Sequence, residues 1–87
     1  MIVIDPPNAE GHGRLWSHLA SDESFAELHA FARDLGIPAR GFDRDHYDVP
    51  AEWYDRVIAL GAEPVTSREL VRRLHAAGLR RRRSQPG

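Results

Sequence analysis

The amino-acid sequence predicts an α/β fold: a small three-stranded, mostly parallel sheet flanked by helices, in the order β-α-α-β-α-β-α. Three observations carry that reading. A β-branched run, Ile2-Val3-Ile4, opens the chain. Apolar residues then recur at helical spacing over 25–35 and again over 67–77, and short extended stretches bounded by Pro and Gly lie between the helical segments. Strands that alternate with helices are joined by right-handed crossovers, which set neighbouring strands parallel.

Each element has a local reason. Ile2-Val3-Ile4 reads as a buried first strand that stops at Asp5, because Pro6-Pro7 cannot continue a ladder. Residues 6–13, with two Pro and two Gly, read as a long loop, and residues 14–20 as a short helix with Leu15 and Leu19 one turn apart. Ser21 or Asp22 supplies the cap of the next helix, whose inner stripe is Phe25, Leu28, Ala32 and Leu35 and which Gly36 ends. Residues 37–42, interrupted by Pro38 and Gly41, suit an edge strand. A polar stretch over 42–50 reads as a loop, and Pro50 opens a helix that runs to Leu60. Residues 63–66 form a third strand. Thr66 and Glu69 then match the capping box at the start of a last helix packed through Leu70, Val71, Leu74 and Ala77.

Size and composition set the bounds. Eighty-seven residues make one domain. It spans residues 1–79, followed by a flexible Arg-rich tail over 80–87. A chain this short buries only about 60–65% of its unfolded surface, which favours a homodimer over a monomer. The absence of cysteine excludes disulfides and thiolate zinc sites and agrees with a cytoplasmic location. The first residues lack the basic start of a signal peptide, and no apolar run approaches the roughly 20 residues that span a bilayer. Acidic residues crowd the first 55 positions, eleven Asp/Glu against four Arg, while eight Arg and two Glu follow. The run Arg80-Arg81-Arg82-Arg83 invites a nucleic-acid reading, but it carries no interleaved aromatics and the pI is near 6.5, so it reads as a solvated tail.

The stretch Phe42-Asp43-Arg44-Asp45-His46-Tyr47-Asp48-Val49-Pro50 concentrates carboxylates, an imidazole and a phenol, as a site on a connection would. In an open parallel sheet, Asp5, the His12 loop, residues 43–48 and Thr66-Ser67 all arrive at the carboxyl edge where ligands gather. His18, Asp22, His29 and His46 are candidate ligands of a divalent metal, since imidazole and carboxylate suit such ions. No dedicated zinc spacing is present, and the bland reading of His18, His29 and Asp22 is a pair of hydrogen-bonded histidines and a helix cap. His46, Asp48 and Asp5 are the candidates for catalysis, Asp5 as the carboxylate that ends a buried strand. Thr66 and Ser67 either cap the last helix or hold an anionic cofactor at its amino end. Trp16, Trp53, Tyr47 and Tyr54 read as core residues.

Taken together, Trp16-Ser17-His18-Leu19, Asp22, Glu27-Leu28-His29-Ala30-Phe31-Ala32, His46-Tyr47-Asp48 and Gly61-Ala62 resemble the pattern of domain of unknown function family 4031, small proteins of bacteria and phages, over about residues 1–79. The resemblance implies a small, cytoplasmic bacterial domain and no particular activity. Three functional classes stay open. One is a metal- or small-ligand-binding protein, hydrolytic or nucleotide-acting, that uses the His/Asp cluster. The second is a non-catalytic module for protein or nucleic-acid interaction, and the third a purely structural dimeric domain without a pocket.

Overall fold

The computed structural model describes residues 1–80. Six strands, β1 (Ile2–Ile4), β2 (Ala9–Gly11), β3 (Arg14–Ser21), β4 (Phe42–Asp43), β5 (His46–Pro50) and β6 (Glu63–Pro64), form one sheet in the order β4-β5-β3-β1-β6, with β2 also paired to β3. Three α-helices, α1 (Phe25–Leu35), α2 (Tyr54–Ala59) and α3 (Ser67–Ala76), pack on it. None of the described helices is long and apolar enough to cross a membrane.

The α/β class stands, but the three-stranded, mostly parallel sheet does not. Among the described residues only β1 and β6 run parallel; every other pairing there is antiparallel. The difference begins at residues 14–20, which form a central strand rather than a helix. Leu and Ala at these positions favour a helix only weakly, and pairing on both edges overrides that preference. Leu19 lies between Ile4 on one side and Tyr47 on the other. The residues before it form a hairpin: His12 and Gly13, both left-handed at φ 51° and 75°, make the two-residue turn that matches the twist of paired strands.

The polar stretch is a second hairpin. Arg44 (φ 62°) and Asp45 turn β4 into β5, and Pro50 closes β5 rather than opening a helix. A 3₁₀ turn over Ala51–Trp53 precedes α2, and another over Ala39–Gly41 replaces most of the expected second strand. The cap of α1 is neither Ser21 nor Asp22 but Ser24, whose hydroxyl accepts from the Glu27 amide at 3.1 Å. Gly36 ends that helix in the left-handed region, as expected. Thr66 caps α3 by accepting from the Glu69 amide, but the Glu69 carboxylate turns to Arg72 and Arg73 instead of closing the box.

Side chains alternate across the sheet, so the register assigns its two faces. Ile2, Ile4, Leu19, Tyr47 and Val49 bury one face under Leu28, Ala32 and Leu35 of α1 and Val57 of α2. On the other face Val3 and Ala20 pack under Leu70 and Leu74 of α3. Helix α3 therefore covers the β1 side of that second face, and His18, His46 and Asp48 stand beyond it.

Two outcomes test this framework. Ser24→Ala should cost about 1 kcal/mol in chemical denaturation, because it orphans the Glu27 amide at the start of α1. Arg72 and Arg73 hold the Glu69 carboxyl down to about 2. A depressed carboxyl contributes stability that is present above its unfolded value and is lost as pH falls through the folded one. An NMR titration of Glu69 should thus show a midpoint of about 2, moving up toward the ordinary carboxyl range when both arginines are replaced by Ala.

Candidate functional site

His18 in β3 pairs directly with Asp48 in β5, and His46 lies two residues before Asp48 on the same face. Paired and alternate positions project to one side of a sheet, so the three side chains meet without any loop to position them. One ligating atom from each lies within 4.8 Å of the others. The His18 and His46 rings are edge-to-face with centroids 5.0 Å apart, and His46 Nε2 is 3.3 Å from Asp48 Oδ1.

Behind each imidazole stands a buried carboxylate. Asp5, 1% exposed, accepts from His18 Nδ1 at 2.9 Å, from the His18 amide at 2.6 Å and from the Ser67 hydroxyl at 2.8 Å. Burial alone would push the Asp5 carboxyl up; the bonds from His18 and Ser67 outweigh it and hold the group below its ordinary value. An ionised carboxylate only accepts, so His18 Nδ1 carries the proton, and in the neutral imidazole Nε2 then keeps its lone pair for the cleft. The bond to Asp5 also raises the His18 pKa, burial opposing it.

Asp45 repeats the arrangement for His46. It accepts from His46 Nδ1 at 2.9 Å and from Arg80 through Nε and Nη2 at 2.6 and 2.9 Å. Burial raises its pKa, but Arg80 and then His46 bring it below the ordinary carboxylate range. The two outer carboxylates are thus fastened to the two ends of one element. Ser67 is the first residue of α3, and Arg80 follows its last turn, where left-handed Gly78 (φ 75°) redirects the chain.

The cluster opens into a cleft of about 600 Å³ whose walls include Gly11, Trp16 and His12. Asp48 is half exposed at its mouth. The arrangement presents two imidazole nitrogens and one carboxylate toward a common space, a donor set that suits a first-row divalent metal.

The other expected site residues lie elsewhere. Asp22 forms an ion pair with Arg73 at 3.3 Å, at the far end of β3. His29 projects from α1 on the opposite face of the sheet, where its Nδ1 is 2.8 Å from the Tyr47 hydroxyl. Thr66 serves α3 as a cap, and Ser67 reaches the site only through Asp5. Asp5, Ser67 and the His46 neighbourhood do gather, but across a sheet face rather than at a row of parallel strand ends. Two supporting residues are not among the expected site residues: Asp45, which lies inside the polar stretch marked as a site without a role of its own, and Arg80, which is assigned to the tail. The adjacency of Asp45 to His46 was visible; the 35-residue separation of Arg80 from its partner left no local signal. Arg81, Arg82 and Arg83 lie outside the described residues.

Asp5→Asn keeps the shape but loses the charge that three donors address. It should cost about 1–3 kcal/mol in denaturant melts of the metal-free protein, while Asp22→Asn, whose partner Arg73 keeps Glu63 and Glu69, should cost less.

No curated protein and no solved structure matches the chain. One family model does match, over residues 2–77, a span that holds β1 through α3 and therefore His18, His46, Asp48 and the buried Asp5 and Asp45 behind them. The chain belongs to the family described as "Protein of unknown function (DUF4031)".

Proposed function

We propose that the protein binds a divalent first-row transition metal through His18 Nε2, His46 Nε2 and the Asp48 carboxylate, and that the ion activates water for hydrolysis. The observation that carries this reading is the pair of carboxylates behind the imidazoles. A histidine that ligates a metal gives its other ring N–H to a carboxylate or carbonyl, which fixes the tautomer and strengthens the lone pair. Both histidines do so here, with Asp5 and Asp45. Two histidines that merely filled a core would need no such matched support.

The donor count supports a reactive ion over a structural one. Three protein ligands leave at least one position for water, and such an ion lowers the pKa of bound water from about 15.7 to about 7. The exposure of Asp48 keeps that position open to the cleft. At ordinary ligand distances of about 2.0–2.2 Å and tetrahedral angles, donors on one ion lie about 3.3–3.6 Å apart. His46 Nε2 and Asp48 Oδ1 already lie 3.3 Å apart, so binding an ion asks the widest of the three separations, at most 4.8 Å, to close by about an ångström through rotation of the side chains.

Differential scanning of the purified protein with Zn, Mn, Fe(II) or Mg tests the reading. At a hundred times its Kd a bound ion should add about 2.7 kcal/mol of stability, which in a domain of this size raises Tm by roughly 10–20 °C. His46→Ala should abolish the shift. A wild type that melts identically with and without every one of these ions sinks the proposal. Arg80→Ala, which touches no ligand, should weaken metal affinity about 10- to 100-fold by releasing Asp45, with Arg80→Lys intermediate because a single ammonium cannot reproduce the two-pronged grip.

A further inference from the structure

We infer that the cleft takes a nucleoside monophosphate unit, with its phosphate on the ion held by His18, His46 and Asp48 and its base stacked on Trp16. The inference rests on the metal reading above and adds the class of ligand. Its basis is a row of side chains along β3. Arg14, Trp16 and His18 occupy alternate positions of one strand and so share the face that bears the metal donors. Successive members stand about 6.8 Å apart along the strand. A ring on the indole and a phosphate at the imidazole are therefore separated by about the span of a sugar.

Trp16 is suited to stacking rather than to hydrogen-bonded recognition. Its indole N–H is already committed to the Gly11 carbonyl at 2.8 Å, which fixes the ring plane and leaves the π surface as what the side chain offers. The ring is half-buried and lines the same cleft as His18 and His46. Gly11 lets the indole lie close, since a Cβ there would meet Trp16 Nε1 at 3.4 Å, and Ala9 beside it on the cleft wall is small. The Arg14 guanidinium, paired with Glu52, lies over one face of the indole, 5.2 Å from its centroid, so it braces the ring and the opposite face is the one a base would use.

Charge makes binding conditional. Glu10, Asp43 and Asp48 line the cleft, and without a cation they repel a phosphate. A divalent ion on the three donors reverses this locally, so nucleotide and metal should bind together. A base stacked on an aromatic side chain contributes through a π face that every base has, so the site should tolerate different bases.

The test uses the full chain carrying Trp53→Phe, so that Trp16 is its one remaining indole. Zinc affinity is first measured by calorimetry. Deoxyadenosine 5′-monophosphate, inorganic phosphate, deoxyadenosine and a short single-stranded oligonucleotide are then titrated with and without zinc by calorimetry, which reads affinity in every chain, while Trp16 fluorescence is followed in parallel where the indole is present. The expected result is zinc-dependent quenching by the monophosphate, binding of phosphate without quenching, and much weaker binding of the nucleoside. Tighter binding of the oligonucleotide assigns the unit to a nucleic-acid strand, and equal or weaker binding assigns it to a free nucleotide; either supports the inference. Adding Trp16→Leu should weaken the monophosphate about 5- to 150-fold and leave zinc affinity unchanged, while Trp16→Phe should retain most of the binding. Zinc binding with the monophosphate no tighter than phosphate, or no loss in the Trp16→Leu chain, overturns the nucleotide inference and spares the metal site. A chain that binds no zinc or other divalent ion overturns both.

Discussion

The pairing of β3 on both of its edges is the constraint on which the molecule depends. One edge of the strand takes β1 and β2 and the other takes β5, so its backbone groups are satisfied only when segments from distant parts of the chain are in place. The register of those pairings then decides every contact within the His18, His46 and Asp48 cluster. A shift of one residue between β3 and β5 would turn His18 and Asp48 to opposite faces and send Tyr47 and Val49 out of the apolar layer. Burial of Tyr47, Val49 and Leu19 against α1 and α2 therefore specifies the alignment on which the polar face relies.

That division of labour lets a small domain support a polar cluster at a modest cost. The face packed under α1 and α2 carries the larger apolar layer, while α3 covers only the β1 side of the opposite face. The uncovered remainder is lined by histidine, aspartate and tryptophan instead of a second apolar layer. Leu70 and Leu74 anchor α3, and its two ends reach the carboxylates behind the histidines, Ser67 to Asp5 and Arg80 to Asp45. Packing of the helix and orientation of the imidazoles are thus one structural event.

The buried carboxylates also explain why the imidazoles have defined roles. Asp5 and Asp45 sit where burial alone would favour the neutral acid, and hydrogen bonds from ring, amide, hydroxyl and guanidinium groups keep them charged. Each then orders one histidine tautomer and directs the remaining nitrogen into the cleft. His29 shows the contrast on the other face: its partner is the Tyr47 phenol, a neutral group embedded beside the apolar core, and it does not belong to the His18, His46 and Asp48 cluster found among the described residues.

The amino-acid sequence by itself determined the α/β class, α1 with its left-handed Gly36 stop, α3 with its Thr66 cap, the strand Ile2–Ile4 and the concentration of polar groups around His46. These follow from helical periodicity, capping chemistry and β-branched runs, all of which act within a few residues. Local signals also misled: Trp16, His18 and Leu19 lie in a segment whose Leu and Ala content suits a helix, and Pro50 suited a helix start as well as a strand end. Only the tertiary structure decided that residues 14–21 are the central strand, that the sheet is mainly antiparallel, and that His18 meets Asp48 while His29 and Asp22 do not. The physical reason is that strand identity, face and register come from hydrogen bonds and apolar contacts between segments tens of residues apart. The link from Asp45 to Arg80, made across the end of α3, is of the same kind.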